Sequence, residues 1–315
     1  MSPTLSVIMA TYNRENLVIQ TLNSIKNQTY KDFECIIVDD QSTDNTFNVI
    51  SDFIKSDNRF TLYSRPNSKS KGMSSSRNYG YTLSNGQYVN WFDDDDIMHP
   101  ECLKKKMNVI LEKKLDFVSC EIAYFNDSID KYEKIENDYD MSNIFQNYFK
   151  GSISFYSICS LWKKSFLDKN SFVFNEDNKL LVDWVFNINV LFTNPKYYLI
   201  KEVLTFYRRH EKSISGKLAS YNESYIFQEY QIRCKMFEIF KSKNLVNKEL
   251  NLWYGKRLVF LLRALLLKND SRSNKILIDI LKVRNDKDIL LFKIRTLIGF
   301  LTYKTIKKGY KFLSN

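Results

Sequence analysis

Several features that define secreted and zinc-binding proteins are missing from this sequence. It has only 5 cysteines in 315 residues, and these are scattered and odd in number. No two of them form a Cys-x-x-Cys pair, which argues against both a disulfide framework and a zinc site. This use of cysteine is typical of a reducing compartment, so we expect a cytoplasmic protein.

Targeting signals and common nucleotide-binding loops are also missing. No signal peptide precedes the first predicted strand, and no uncharged apolar run approaches the roughly 20 residues of a membrane span. The first strand-to-helix turn has neither a Gly-x-Gly-x-x-Gly loop nor a Walker lysine. No zinc finger or other nucleic-acid motif is present, so we expect no nucleic-acid partner. A nucleotide bound here would need another device for its phosphates, and a metal ion could supply it.

The positive charge of the chain is concentrated near its end. The net charge is +11, and residues 241–315 contain 18 Lys/Arg and 5 Asp/Glu, a balance of +13. Residues 1–240 therefore sum to −2. A near-neutral body with a basic tail suggests two functions, and the tail could meet anionic lipid or nucleic acid. The alternative is that its helices pack their apolar faces on this body, with the lysines in water. If the tail binds anionic lipid, the protein is peripheral on the inner face of the cell membrane.

An acidic run organises the rest of the chain. Tyr88 to Phe92 is strand-like, and it leads directly into four consecutive carboxylates at positions 93–96, here called the acidic tetrad. Adjacent carboxylates repel one another, and a divalent cation would neutralise them. Hard oxygen ligands suit Mg²⁺ or Mn²⁺. The alternative is a solvated acidic turn, but the buried-looking strand that precedes the tetrad favours the metal.

Strand and helix patterns alternate through the first 112 residues. Apolar strand patterns occur at residues 5–10, 33–38, 60–63 and 88–92, and helical patterns lie between them. This alternation predicts βαβ units on a mostly parallel central sheet flanked by helices, an α/β fold. Asp39-Asp40 and the acidic tetrad both follow strands, so we expect them at the same edge of the sheet, where ligands of such folds bind.

Five ordered motifs resemble the family 2 glycosyltransferases of the GT-A fold, which transfer sugars from nucleotide diphosphates. The motifs are residues 5–13, 24–30 and 33–44, then Gly72 with residues 76–80, and finally residues 86–89 leading into the tetrad. The resemblance is strong over about residues 4–112 and weak over 150–215. It implies a GT-A domain at residues 1–216, with a donor-binding half (about 1–112) and an acceptor-binding half (about 113–216), followed by a helical, basic region at 217–315.

The resemblance also implies roles for matching residues in donor binding. Asp40 resembles the carboxylate that hydrogen-bonds the pyrimidine base, and Thr11 and Arg77 resemble residues that line the base pocket. In the Asp-x-Asp motif, Asp93 would face the ribose and Asp95 would bind the metal. The remaining supporting or diphosphate-binding candidates are Asp94, Asp96, Arg208 and Arg209. Structural alternatives stay open, since Arg77 could simply pair with a carboxylate, Asp39 could be a turn residue and Asp44 a helix cap.

The resemblance implies further roles in the second half of the domain. Asp183, in Val182-Asp183-Trp184, matches the family's catalytic base, although the glutamate that usually precedes it is replaced. Glu176 and Asp177 are the alternatives. His210 matches a histidine that completes the metal site in many members, whereas we expect His99 to have no such role. Residues 126–150 are polar and acidic, which predicts a solvated loop.

We therefore expect an enzyme, an inverting, metal-assisted glycosyltransferase of the hexosyltransferase type. It would move a sugar from a nucleotide-diphosphate sugar, most simply a UDP-sugar, to a hydroxyl of a glycan or lipid-linked glycan acceptor in surface polysaccharide synthesis. Two alternatives are a non-catalytic sugar-nucleotide-binding protein, because Val182 breaks the usual acidic pair, and a nucleotidyltransferase of related fold. The second would need a glycine-rich basic loop that residues 11–14 do not supply.

Overall fold

A computed structural model describes residues 3–126, 128–134, 143–209, 222–282, 287–306 and residue 313. The chain forms two compact units, Met1–His210 and Glu211–Asn315. The first contains every described strand, and the second contains helices only among its described residues.

The first half of unit 1 is a parallel sheet covered by helices, as the alternating patterns predict. Its strands lie in the order β3-β2-β1-β4. Apolar side chains on β1 and β2 are buried on both faces of the sheet, which is why these strands are continuous hydrophobic runs. The elements are β1 (Leu5–Thr11), α1 (Val18–Lys26), β2 (Phe33–Asp39), α2 (Thr46–Ile54), β3 (Phe60–Ser64), α3 (Met73–Leu83) and β4 (Tyr88–Asp93).

The second half extends this sheet with mixed pairing. Strand β8 is antiparallel to β4 and β6, β9 is parallel to β6, and β5 and β7 pair antiparallel with β9 and β6. The result is one mixed nine-stranded sheet with helices around it, which confirms the predicted α/β fold. The elements are β5 (Ile97–Met98), α4 (Cys102–Glu112), β6 (Phe117–Phe125), β7 (Tyr132–Lys134), α5 (Ile144–Lys150), β8 (Leu161–Lys163), α6 (Lys164–Lys169), α7 (Val182–Leu191) and β9 (Tyr197–Arg208).

The approach to β4 is fixed by a glycine. A Cβ on Gly86 would lie 2.5 Å from the backbone nitrogen of Ser6 and 2.7 Å from the carbonyl carbon of Leu5. Only glycine allows the chain to pass this close to β1 before it turns into β4. The close approach therefore helps to set the register that delivers the acidic tetrad to the end of its strand.

The prediction of a solvated loop at residues 126–150 is wrong at residues 132–134, which form β7, and over its second part. Residues 144–150 form α5, whose first turn is capped by the Asn143 side chain accepting from the Gln146 backbone N–H at 3.4 Å. Tyr148 and Phe149 are buried, and the Tyr148 hydroxyl accepts from Asn187 at 2.8 Å. The prediction weighed the acidic residues of this segment, most of which precede the helix. Residue 127 and residues 135–142 lie outside the described part.

Unit 2 contains the helices α8 (Glu223–Ser242), α9 (Lys248–Leu267), α10 (Ser273–Lys282) and α11 (Lys287–Ile306). The leucines that repeat along α9 are buried, as their spacing predicts. On α8, the carboxylate of Glu229 contacts Arg233 at 2.6 Å and Arg257 of α9 at 2.5 Å, which links the two helices by charge. Among the described residues, no helix is long and apolar enough to cross a membrane.

Candidate active site

The sheet brings the predicted donor-site residues to one edge. Thr11 at the end of β1 lies opposite Asp39 of β2, and Ala10 lies opposite Asp93 of β4. Because these strands are parallel, their carboxyl ends meet at the same edge, and Asp40 follows Asp39 there. The edge is therefore lined by acidic side chains from the ends of β2 and β4, the two strands that flank β1.

Two carboxylates of the acidic tetrad share an arginine that was not predicted as a site residue. Arg14, in the turn after β1, contacts Asp94 Oδ1 through Nε and Asp95 Oδ2 through Nη2, both at 3.2 Å. The Tyr12 backbone N–H also donates to Asp94 at 3.3 Å. Burial and the adjacent Asp95 charge nevertheless raise the pKa of Asp94 to about 7, because these effects outweigh the Arg14 charge.

Asp96 is the most enclosed member of the tetrad. Its Oδ1 accepts from the Arg208 backbone N–H at 2.9 Å, while the Arg208 guanidinium donates to the Asp95 carbonyl at 2.8 Å. In the described part of the chain, no hydrogen-bond partner is found for the buried Asp96 Oδ2. Burial, followed by the Asp95 and Asp93 charges, raises the pKa of Asp96 well above its usual range. Arg208, predicted as diphosphate-binding or supporting, here supports the turn of the tetrad.

A single buried arginine connects the tetrad to the candidate base. The Arg77 side chain, on α3, is 1% exposed and forms ion pairs with Asp93 and, at 3.3 Å, with Asp183. Its guanidinium also lies over the Phe174 ring, 5.0 Å from the centroid. Burial, with the Asp183 and Asp95 charges, still raises the pKa of Asp93. Arg77 therefore pairs with two carboxylates here, the alternative left open for it in the sequence.

Asp183 occupies the first turn of α7, one residue after the helix begins. Backbone N–H groups at a helix start stabilise a carboxylate, and the side chain stays 24% exposed. The alternatives lie elsewhere: Glu176 is exposed and accepts from the Asn78 amide at 3.1 Å, and Asp177 is exposed. Of these three carboxylates, Asp183 is the one seen to form an ion pair with Arg77, which also pairs with Asp93.

Asp40 is also held by an arginine that was not predicted. Its carboxylate forms a buried ion pair with Arg65, and its Oδ1 accepts from the Ser76 hydroxyl at 3.4 Å. Arg65 is anchored in turn by the Pro66 carbonyl at 3.0 Å. The Asp40 backbone N–H donates to the Thr11 carbonyl at 2.8 Å, so the ends of β1 and β2 are joined at this point.

The other candidates have structural roles or lie outside the described residues. Arg209 points to Glu133, at 2.7 Å, and lies over the Tyr124 ring, away from the tetrad contacts. Asp39 accepts from the Ser42 backbone N–H at 3.0 Å, and Asp44 accepts from that of Thr46, also at 3.0 Å. These are turn and cap contacts. His210, predicted to complete a metal site, lies outside the described part.

The donor set at the tetrad fits a hard divalent cation. Within the described ranges, no group of three or more His, Cys, Asp or Glu side chains is placed to hold a metal ion. Mg²⁺ and Mn²⁺ commonly take one or two carboxylates, with water and substrate phosphate as the remaining ligands. Asp95 supplies such a carboxylate, and among the described residues the buried Asp96 Oδ2 has no hydrogen-bond partner, so an acceptor oxygen is left over at this point. Asp95 would hold the ion together with the donor's diphosphate.

Arg14 and Arg65 had no local signal in the sequence that marked them as site residues. Arg14 lies 80 residues from Asp94, and Arg65 lies 25 residues from Asp40. Their partners become visible only once the order of the parallel strands is known. One available clue was the concentration of acidic residues at one sheet edge, because buried carboxylates require cations nearby.

The mixed sheet with its acidic edge at the strand ends has the GT-A fold. The model of the glycosyl transferase family 2 matches residues 6–171, more than half of the chain. The protein belongs to this family and is a glycosyltransferase.

Named relatives and solved structures agree with this assignment. The poly(ribitol-phosphate) β-N-acetylglucosaminyltransferase TarP of Staphylococcus aureus is 31% identical over 208 residues, covering 64% of this chain and 61% of TarP. The glycosyltransferase EpsJ of Bacillus subtilis is 21% identical over 263 residues, covering 80% of this chain and 75% of EpsJ. The chain thus spans less than two thirds of TarP.

The solved structures show the fold. The crystal structure of S. aureus TarS 1–349 in complex with UDP-GlcNAc has a TM-score of 0.60 at 20% identity, covering 98% of this chain and 83% of that one. The mannosyltransferase PcManGT of Pyrobaculum calidifontis, in complex with GDP-Man and Mn²⁺, has a TM-score of 0.56 at 16% identity, covering 98% and 88%. Both are GT-A neighbours of this chain.

Proposed function

We propose that this glycosyltransferase moves a sugar from a UDP-sugar to a hydroxyl group with inversion at the anomeric carbon. The observation that carries the proposal is the pair of ion pairs made by Arg77, which places Asp183 and Asp93 around one guanidinium. One carboxylate belongs to the acidic tetrad and the other begins α7. A base and a donor site are thereby connected through one fixed side chain.

Asp183 is the proposed general base. It accepts the proton of the acceptor hydroxyl as that oxygen attacks the anomeric carbon, so no covalent intermediate with the enzyme is required. Asp183 lies in the first turn of α7, and its carboxylate is held by Arg77 at 3.3 Å. A divalent cation, when bound at Asp95, would stabilise the negative charge of the leaving diphosphate. His210 is the proposed additional ligand of that ion.

Asp40 is the proposed contact for the nucleotide base. An ionised carboxylate only accepts hydrogen bonds, and the Asp40 carboxylate is held in a buried ion pair with Arg65. Uracil offers a ring N–H donor, whereas the equivalent nitrogen of cytosine is an acceptor. The arrangement therefore supports a uridine nucleotide, and TarS, a structural neighbour, was solved with UDP-GlcNAc.

The proposed acceptor is a glycan or a lipid-linked glycan in surface polysaccharide synthesis. TarP is named for transfer to poly(ribitol-phosphate). Another relative, 36% identical over 111 residues, is the GalNAc(5)-diNAcBac-PP-undecaprenol β-1,3-glucosyltransferase of Campylobacter jejuni, whose named substrate carries a lipid. An enzyme with such an acceptor works near a bilayer, which agrees with the basic tail.

Unit 2 supports a peripheral position on an anionic membrane. Four apolar side chains of α11 follow each other at spacings of four, four and three residues, so they lie on one helix face, and each is about half exposed: Leu290, Ile294, Ile298 and Leu301. We call them the α11 apolar face. The cations Arg295 and Lys304 are exposed beside it. Residues 241–315 carry a balance of +13, which attracts anionic lipid and repels a second copy of the same tail.

The catalytic proposal is tested by UDP release from a panel of UDP-sugars with Mn²⁺ and an acceptor. Wild type should release UDP from one donor. The rate of UDP release by Asp183→Asn should be about 10²- to 10⁴-fold lower, while this variant binds UDP normally. Asp95→Asn should lose the response to Mn²⁺. Glu176→Gln is the matched control, because this exposed carboxylate should leave the rate nearly unchanged. Full activity of Asp183→Asn would contradict the proposal, and no UDP binding by wild type would mean that the donor is wrong.

The membrane proposal is tested separately by sedimentation of the full chain with vesicles. Phosphatidylglycerol vesicles should bind it and neutral phosphatidylcholine vesicles should not. The double variant Ile294→Gln/Ile298→Gln should bind at least about tenfold more weakly, because each buried isoleucine contributes about 1.5–3 kcal/mol. Leu111→Gln is the control, since Leu111 is a similarly exposed apolar residue of unit 1. Equal binding by both variants would refute a role for the α11 apolar face.

A further inference from the structure

Arg14 lies at the point where the tetrad requires a cation. Its guanidinium is 3.2 Å from Asp94 Oδ1 and 3.2 Å from Asp95 Oδ2, so it bridges two of the four carboxylates. Asp95 is also the residue proposed to hold the divalent cation. We propose that Arg14 is the tetrad's internal counter-cation, which occupies Asp95 in the empty enzyme and must release it when the metal binds. This inference rests on the proposed function.

The contacts of Arg14 are of a kind that can exchange. Charge-assisted N–H···O bonds are typically about 2.7–2.9 Å long, so two contacts at 3.2 Å are loose. The side chains are partly exposed, at 25% for Arg14 and 15% for Asp95. Partly exposed ion pairs contribute little to stability, so exchanging Arg14 for a metal ion at Asp95 should cost little free energy. By contrast, the ion pairs of Asp40 with Arg65 and of Asp93 with Arg77 contain an almost fully buried arginine.

The backbone of Arg14 is anchored independently of its side chain. Its N–H donates to the Thr46 hydroxyl at 2.7 Å, and the preceding Asn13 N–H donates to the Ser42 hydroxyl at 3.0 Å. The turn after β1 is thereby tied to the first residue of α2 and to the segment before that helix. The guanidinium can leave Asp95 through side-chain rotation while the turn keeps its position.

The exchange has a measurable consequence for metal affinity. A cation that must be displaced, and that then remains close to the ion as a like charge, weakens metal binding. Removing it should therefore strengthen the binding of Mn²⁺ to the enzyme without nucleotide. A purely structural role predicts the reverse, because Asp95 would lose the side chain that orients it.

The experiment measures Mn²⁺ binding to the full-length chain from the electron paramagnetic resonance of free Mn²⁺, with and without UDP. Without UDP, Arg14→Gln should bind Mn²⁺ about threefold to tenfold more tightly than wild type, because the ion no longer displaces two partly exposed ion pairs. Asp95→Asn is the negative control and should bind least. Unchanged or weaker binding by Arg14→Gln would overturn the inference.

Two further arms make the result decisive. Arg14→Lys keeps the charge but lacks the planar fork that contacts Asp94 through Nε and Asp95 through Nη2, so its Mn²⁺ dissociation constant should lie between those of wild type and Arg14→Gln. It carries the test if Arg14→Gln fails to fold, and binding no tighter than wild type would then refute the inference. If Mn²⁺ binds with UDP but Arg14→Gln gives no change without it, only the inference fails. If wild type binds no Mn²⁺ even with UDP, the metal-assisted part of the proposed function fails as well.

Discussion

Replacing Arg77 by methionine should destabilise unit 1 and uncouple its two acidic partners. The methionine fills most of the space beside Phe174 but leaves Asp93 and Asp183 without their shared cation. Removing one partner of a buried ion pair costs about 3–5 kcal/mol. Because Asp93 is 27% and Asp183 24% exposed, water recovers part of this loss, and we expect a cost of about 2–4 kcal/mol.

The size of unit 1 determines how far this loss of unfolding free energy should lower its melting temperature. A unit of about 200 residues loses about 2–4 °C of melting temperature for each kcal/mol, so Arg77→Met should melt about 5–15 °C lower. Tryptophan fluorescence is a suitable assay, because three of the four tryptophans, at 91, 162 and 184, belong to this unit. Trp91 packs against Phe174, 5.0 Å between ring centroids, and so reports on the surroundings of Arg77.

A double-mutant cycle separates the ion pair from the packing. In an Asp183→Asn background one of the two carboxylates is already neutral, so Arg77→Met should cost about 0.5–3 kcal/mol less than in wild type. Lys55→Gln is the control, because Lys55 and Asp52 form an ion pair whose side chains are both 75% exposed. If Arg77→Met lowers the free energy of unfolding no more than Lys55→Gln does, the view that Arg77 holds the two carboxylates together is refuted.

Three other predictions follow from the packing and the charges. Gly86→Ala should destabilise unit 1 by at least about 1–3 kcal/mol in urea unfolding, since its Cβ would lie 2.5 Å from the Ser6 backbone; a neutral result would show that the strands can move apart. Burial opposes ionisation of Glu229, but Arg233 and Arg257 outweigh it and lower its pKa. Its contribution to stability is therefore present at neutral pH and is lost as the pH falls through this lowered pKa, so the stability of Glu229→Gln in unfolding curves should depend less on acid than that of wild type. Arg208→Met should weaken UDP binding measured by calorimetry, because the Asp95 carbonyl loses its donor at 2.8 Å, and unchanged binding would exclude this supporting role.

The strands of the donor half could be predicted because they are continuous apolar runs. Residues 5–10, 33–38, 60–63 and 88–92 were predicted as strands, and β1 to β4 contain them. Parallel order then determines that Thr11, Asp39 and Asp93 meet, since strand ends on one edge are neighbours. This part of the site follows from local pattern plus one topological rule.

The cations of the site could not be predicted in the same way. A basic residue in a turn looks solvated until a partner is found, and Arg14 and Arg65 find theirs through the fold. The helix α5 was missed for a related reason, because its buried Tyr148 is satisfied by Asn187, 39 residues further along the chain. Side chains whose role depends on a distant partner give no periodic signal in the sequence.

The contact between Arg208 and Asp96 has a consequence for folding during synthesis. The two residues are 112 positions apart, so the tetrad emerges from the ribosome long before the strand that supports it. At about 5–20 residues per second, the nascent chain waits about 6–22 seconds for β9. During that interval the Asp96 carboxylate lacks the Arg208 N–H, and β6 lacks its parallel neighbour. The donor edge is consequently completed late, and a chain that stops before β9 leaves its acidic turn unsupported.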